Sequence, residues 1–301
     1  MKKFLAWLGG IIGIMLLLLV AVLVLVYVIT NQHMHKVYPL PAASIQVPQG
    51  AAALAEGQRL FVSRSCADCH GKDLGGVTFI NDAMIGQFTG TNLTRGKGGV
   101  GGELRPEDLV RGIRYGLASN GLPLRFMPSA DFYYVSDDEL GNLIAYIQSV
   151  PAVARVNPPL RVGPLARVLY LQGSFDLLPA ETVAKRPPQP PQVPVGETVA
   201  FGEHLAHTCS GCHGAGFSGG PIPGTPPDWP PAQNITPDPV TGIGKWTQQQ
   251  FMTALREGKR PDGTALAPQM PWPNLKYMTD TEINALWMYL RTVPPRPFGN
   301  H

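Results

Sequence analysis

Two five-residue segments concentrate the side chains able to do chemistry: Cys66-Ala67-Asp68-Cys69-His70 and Cys209-Ser210-Gly211-Cys212-His213. Together they use all four cysteines of the chain. Each is a C-x-x-C pair followed directly by histidine. At that spacing two thiols can each form a thioether to one haem vinyl group, while the adjacent imidazole ligates the iron from the proximal side. Covalent attachment fixes a haem in a domain too small to enclose it otherwise. A four-cysteine zinc site or a thioredoxin-like dithiol would also use cysteine pairs. Zinc, however, has no need of a histidine after both pairs, and a redox dithiol has no need of two copies. The expectation is two covalently bound haem c groups, attached through Cys66, Cys69, Cys209 and Cys212, with His70 and His213 as iron ligands.

The two signatures lie 143 residues apart, and the same offset pairs Tyr134 with Tyr277, Glu139 with Glu282, Leu143 with Leu286, Tyr146 with Tyr289 and Pro151 with Pro294. In the middle the offset is 142, where Asn92-Leu93-Thr94 meets Asn234-Ile235-Thr236 and Gly116 meets Gly258. A one-residue deletion with a compensating insertion accounts for the change, so the chain is an internal repeat. Met127 and Met270 each stand 57 residues past their histidine, and each precedes a proline. Methionine is ordinarily a flexible core filler, as expected for Met84, Met252, Met278 and Met288. Met127 and Met270, in register and in loops ahead of a helix, are the expected distal iron ligands. A thioether favours ferrous iron and raises the reduction potential. His204 and His207 are competing ligands; His33, His35 and His301 are expected to be solvated.

The elements that must position these groups are helical. Ser136 with Glu139, and Thr279 with Glu282, form capping boxes. Apolar residues follow at helical spacing, Leu140, Leu143, Ile144 and Ile147 in one copy, Ile283, Leu286, Trp287 and Leu290 in the other. Val150-Pro151 and Val293-Pro294 should end these helices. Ahead of each signature another helical stretch carries Gly57 or Gly202, where a missing side chain lets the terminal helices cross closely against Tyr146 or Tyr289. Mid-domain helices are predicted over 107–115 and, behind Thr247 as cap, over 248–257. Trp246, Trp287, Tyr115 and the paired tyrosines read as core. Residues 152–200 are proline-rich, with the run Arg186-Pro187-Pro188-Gln189-Pro190-Pro191, and read as a stiff linker within which residues 162–178 can pack.

With a helix, C-x-x-C-H, a loop-rich middle, a methionine loop and a final crossing helix, both halves resemble class I cytochrome c domains. Asn234-Ile235-Thr236-Pro237-Asp238, Gly242-Ile243-Gly244-Lys245-Trp246, Pro261-Asp262-Gly263 and Met270-Pro271-Trp272 resemble the cytochrome subunits of membrane-bound periplasmic alcohol, gluconate and aldehyde dehydrogenases. The first half is similar but looser, with Gly98-Gly99-Val100-Gly101 and Met127-Pro128-Ser129. The resemblance covers about residues 52–296. Those subunits commonly carry three haems; this chain has two signatures. The implied fold class is mainly α: two tandem class I cytochrome c domains, 52–151 and 201–296, joined by the linker 152–200 behind one N-terminal transmembrane helix in residues 1–36.

That helix is read from Phe4 to Thr30, 27 residues without a charge, which at about 1.5 Å of rise per residue exceeds the ~30 Å core of a bilayer. A secretory signal would share the basic Lys2 and Lys3. Its apolar core is shorter, about 7–15 residues, and a small-residue cleavage site follows closely, whereas Ile29-Thr30-Asn31-Gln32-His33 follows here. An uncleaved anchor in the lipid bilayer is expected, with the haem domains on the periplasmic side by the positive-inside rule. Three of the 24 basic residues lie in residues 1–36, which hold no acid, so the remaining body balances 21 basic against 21 acidic residues. That neutral body lacks the footprint of a nucleic-acid binder. The expected function is electron transfer from an extracytoplasmic donor, such as a periplasmic dehydrogenase, to a terminal oxidase or other respiratory acceptor, with no bond chemistry catalysed. The alternatives are a di-haem enzyme, such as a peroxidase or a thiosulfate-oxidising cytochrome, and a sensor. The matched spacings speak against one open iron, and about three residues ahead of the apolar run leave no room for an output domain.

Overall fold

The computed structural model describes residues 2–189, 191–225 and 228–299; Pro190 and His301 of the expectations above lie outside them. Helix α1 (Lys2–Met34) carries the uncharged run and is long and apolar enough to cross a membrane. Its side chains are exposed along most of that run.

The first haem half contains α2 (Ala51–Ser63), α3 (Cys66–His70), β1 (Thr78–Asp82), β2 (Gly86–Thr89), α4 (Pro106–Val110), α5 (Ser129–Phe132) and α6 (Asp137–Ser149). The predicted mid-domain helix is present but changes pitch, since α4 runs directly into a π turn over Arg111–Tyr115. Phe61, Leu74, Val110, Leu140 and Ile144 form the core of this half. Next come β3 (Arg161–Val162), α7 (Pro164–Leu171) and α8 (Pro179–Val183). The second half contains α9 (Val199–Ala206), a 3₁₀ turn over His207–Cys209, α10 (Ser210–His213), α11 (Gln248–Glu257), α12 (Trp272–Leu275) and α13 (Asp280–Leu290). Phe201, Leu205, Ile283, Leu286 and Leu290 are its core.

Both capping boxes close. Ser136 Oγ accepts from the Glu139 amide and the Glu139 carboxylate accepts from the Ser136 amide; Thr279 and Glu282 repeat the pattern. The terminal helices cross where the glycines stand. A Cβ on Gly57 would lie 2.1 Å from the Asn142 carbonyl oxygen and 2.6 Å from Tyr146 Cβ. On Gly202 it would lie 1.9 Å from the Ala285 carbonyl oxygen and 2.7 Å from Tyr289 Cβ. Helix propensity favours alanine over glycine by about 1 kcal/mol. A methyl driven into backbone cannot be relieved by a rotamer change, and overpacking of this kind costs roughly 1–3 kcal/mol or more. The clash wins. Gly202→Ala is therefore expected to lower the thermal midpoint of the second half by several degrees; a rise would show that the helices can slide apart freely.

The linker packs over the stretch 162–178 where packing was expected, and it is bound more widely than that. Its first stretch is bound to the first half, since Asn92 Nδ2 donates to the carbonyls of Val153 and Arg155 and Asn157 Nδ2 donates to that of Gly75. The counterpart in the second half is Asn234 Nδ2 donating to the Arg296 carbonyl. Farther on, β3 adds to the β1–β2 hairpin as the third strand of an antiparallel sheet. Phe175, Leu177 and Leu178 then pack with Phe88, Ala166 and Met34 into a separate apolar cluster. Burial of these side chains, which proline content alone does not suggest, makes residues 160–183 a folded body at the end of α1 rather than a bare spacer.

Candidate haem centres

Helix α3 places two cysteines and a histidine on little more than one turn, and the 3₁₀ turn ending at Cys209 with α10 does the same for Cys209, Cys212 and His213. His70 Nδ1 lies 2.9 Å from the Thr91 carbonyl oxygen, and His213 Nδ1 lies 2.6 Å from that of Gln233. A carbonyl only accepts, so the proton sits on Nδ1 and the lone pair of Nε2 is left for a metal. Burial holds both imidazoles below the ordinary histidine range, and the carbonyls offset part of that. Neutral rings of fixed tautomer are what iron ligation requires. Thr91 and Gln233 are repeat counterparts that immediately precede Asn92 and Asn234. Each asparagine accepts, through Oδ1, from the amide and hydroxyl of the threonine two residues on. The Asn-x-Thr segments thus fix the carbonyls that orient the histidines, a role the sequence pattern marked by its repetition but did not explain.

None of the four cysteines is joined to another in a disulfide. Burial pushes Cys66 up to about 12 and Cys69 and Cys209 up to about 11. Such thiols are neutral at physiological pH and lack the activation of a redox dithiol. Among the described residues no three histidines, cysteines or carboxylates converge as a metal cage. Cys66 and Met127 pack against the first core, Cys209 and Met270 against the second. The two methionines occupy equivalent turns: the Ser129 amide donates to the Met127 carbonyl at 2.7 Å, and the Trp272 amide to that of Met270 at 2.8 Å. In each half, then, one thiol of the pair and a thioether pack on one apolar core, and the adjacent imidazole keeps its Nε2 free, a donor set that fits haem c.

Of the other methionines, Met278 is buried and Met252 packs on the second core, as expected. Met84 and Met288 are surface residues, 52% and 38% exposed, instead of core fillers. His204 and His207 have other partners than a metal: His204 Nε2 lies 2.7 Å from Glu139, and the His207 ring stacks on Tyr134 at 3.9 Å. His35 is exposed, but His33 is partnered, its Nδ1 lying 2.8 Å from the Tyr170 hydroxyl and 3.0 Å from Glu181.

These histidine contacts belong to the face between the halves, which follows a pseudo-two-fold pattern. Arg59 on α2 pairs with Glu282 at 2.6 Å, and His204 on α9 pairs with Glu139. Glu139 and Glu282 are repeat counterparts, and Arg59 and His204 each stand two residues after the crossing glycine of their helix. Arg64 lies between the carboxylates, 2.6 Å from Glu139 and 3.7 Å from Glu282. Burial works against its charge, but the two acids outweigh this and raise its pKa. The attachment segments share the pattern. Asn274 donates to Asp68 and to Ser65 Oγ beside the first signature. Its counterpart Asp131 faces Gly211 of the second, with both carboxylate oxygens 3.1 Å from where a Cβ would stand. Each haem-attachment helix therefore abuts the other half. None of these pairs was legible beforehand, because repeats report equivalence and not contact.

Residues 52–147 match the family described as cytochrome c oxidase, cbb3-type, subunit III, and residues 199–294 match the cytochrome c family. The chain is 26% identical to the fructose dehydrogenase cytochrome subunit of Gluconobacter japonicus, over 89% of its own length and 57% of that protein's. It is 36% identical to the cytochrome c subunit of the quinone-dependent alcohol dehydrogenase of Gluconacetobacter polyoxogenes, over 41% of this chain and 26% of the relative. A di-haem cytochrome c-type protein of Cereibacter sphaeroides is 36% identical over 21% of each chain. The chain spans between about a fifth and just over half the length of these curated relatives. With two such matches over two structurally equivalent halves, the chain is a tandem of two cytochrome c domains carrying two covalently bound haem c groups.

Proposed function

We propose that this protein is a membrane-tethered electron carrier that takes electrons from a dehydrogenase outside the cytoplasm and delivers them to a respiratory acceptor. In this reading the domains span 52–151 and 201–296. Cys66 and Cys69 attach one haem and Cys209 and Cys212 the other, while His70 with Met127 and His213 with Met270 are the axial pairs. Residues 4–30 cross the bilayer. Haem c supplies reversible one-electron chemistry at iron; the chain's residues supply attachment, axial ligands and burial. The observation that carries the proposal is the equivalence of the two sites, each with an imidazole held in the same tautomer and a methionine in the same turn. A pair of filled axial positions leaves no iron open to a substrate. The names of the dehydrogenase relatives support a dehydrogenase as donor.

A spectroelectrochemical titration of the full chain in detergent, repeated under carbon monoxide, tests this. Two low-spin haems of high potential, both inert to carbon monoxide, are expected. A high-spin haem that binds carbon monoxide would overturn the carrier reading for its half and favour a di-haem enzyme.

A further inference from the structure

The folded body within the linker lies against the end of the apolar helix, alongside its last turns and not beyond them. Arg167 of α7 donates to Thr30 Oγ1 at 2.5 Å, and its guanidinium lies over the Tyr27 ring, 4.0 Å from the centroid. Tyr27 and Thr30 are the final turn of the uncharged run. Helix α7 therefore sits at the depth where that run ends, which for a spanning helix is the boundary between acyl chains and headgroups. Thr30 and Met34 are buried beneath this body, which fixes its height along α1.

Its outward side is apolar. Ala166 and Arg167 face inward, whereas Leu165 and Leu171 are 38% and 40% exposed, and Pro164 is exposed beside them. The Leu165 amide donates to the Met84 carbonyl, which brings the exposed Met84 of the β1–β2 turn to the same edge. Neighbouring α1 also shows bare apolar residues at this level, including Leu25 and Val28. Arg167 is 6% exposed, and among the described residues no carboxylate lies within ion-pair distance. Arg161, exposed at the start of β3, adds a second cation. A short helix with apolar residues outward, arginines at its border and an aromatic ring at the same depth is the pattern of an interfacial lipid contact.

We propose that α7 and the β1–β2 turn form a second membrane contact, seated in the headgroup layer of the leaflet on the haem side, which holds the first haem domain flat against the bilayer. The occupant of this face is phospholipid. Leu165, Leu171 and Met84 enter the acyl boundary, and the arginines stand at the level of the phosphates. The anchor is then a rigid mount and not a leash, because the helix whose outer side touches lipid closes over the end of α1 with its inner side, through Ala166 and Arg167. The inference rests on the proposal that residues 4–30 span the membrane, and its test separates the two.

With the four native cysteines consumed by haem attachment, single cysteines can be introduced into the full chain reconstituted in phospholipid nanodiscs, as Leu171→Cys, Leu165→Cys, Val28→Cys and Val240→Cys. Reaction with a charged maleimide is then timed. Leu171 and Leu165 are partly open on the protein itself, so only lipid can shield them. Both are expected to react about ten-fold or more slowly than Val240→Cys, because a thiol in an apolar layer forms little thiolate; Val28→Cys should be slower still. If positions 165 and 171 react as fast as 240 while 28 is protected, the second contact is wrong and the anchor stands. If 28 also reacts fast, the anchor and the contact fall together.

Discussion

Met270→Leu is expected to lower the potential of the second haem by roughly 0.1–0.3 V, within the ~0.8 V that axial ligands command, and to open that iron to carbon monoxide. Met127→Leu should do the same for the first haem. Leucine is the informative choice because it keeps the volume of methionine, so the partly buried site loses sulfur and little packing. Any loss of stability should stay below about 1.5 kcal/mol, which separates a ligand effect from a folding defect. The potential falls because the thioether stabilises ferrous over ferric iron and leucine offers no lone pair. Because the cysteines and histidines of the signatures remain, the haem should stay attached, while loss of the sixth ligand should weaken the sharp low-spin α-band of that haem. Redox titration of each single variant assigns one potential to each half. An unchanged spectrum and potential in either variant would remove that methionine from the ligand set.

Arg64→Met should be the most destabilising single change outside the haem sites, by about 3–5 kcal/mol. Arg64 is buried between Glu139 and Glu282, whose side chains are 11% and 4% exposed. Removing the cation leaves two carboxylates facing each other in a medium that solvates neither. The expected readouts are a lower thermal midpoint and faster proteolysis between the domains. The pH dependence has a definite sign. In the native protein Glu139 is held well below its ordinary value of 4.5: burial opposes its charge, but Arg64 and His204 outweigh that. A depressed carboxylate contributes stability that is present above pH 4.5 and is lost as pH falls toward the depressed value. In Arg64→Met the same carboxylate keeps His204 but loses its arginine partner, so its pKa rises toward and above the ordinary range. The deficit should therefore be greatest near neutrality and shrink on acidification. A deficit independent of pH would mean that the arginine contributes through packing alone.

Much of the site was legible because its chemistry is local. C-x-x-C-H is contiguous, a capping box spans four residues, and a glycine at a helix crossing announces itself once its repeat partner is found. The offset from histidine to methionine needed only the duplication. What stayed hidden depends on elements that meet in space. His204 looked like a ligand because it precedes a haem signature; it is an ion-pair partner of the other half. Arg59 and Arg64 carried no sequence signal, since nothing local says which acid they will meet. Within the linker the apolar stretch 162–178 was readable as able to pack, but not that Phe175, Leu177 and Leu178 bury against Phe88 from a hairpin some ninety residues earlier. Such long-range apolar pairing has no period to detect.

The face between the halves has the form of an interface between two copies of one domain, with both copies on a single polypeptide. Association is then unimolecular: the linker holds each half near the other at an effective concentration on the order of millimolar, whatever the abundance of the protein. An interface made of arginines, glutamates and a histidine would be a weak basis for a dimer of free domains, since desolvating charges consumes most of what their pairing returns. Tethered, it has only to favour one orientation over others. Dilution therefore leaves the pairing of the two halves intact. Fusion also freed the copies to diverge, so that the position held by Arg59 in one is His204 in the other.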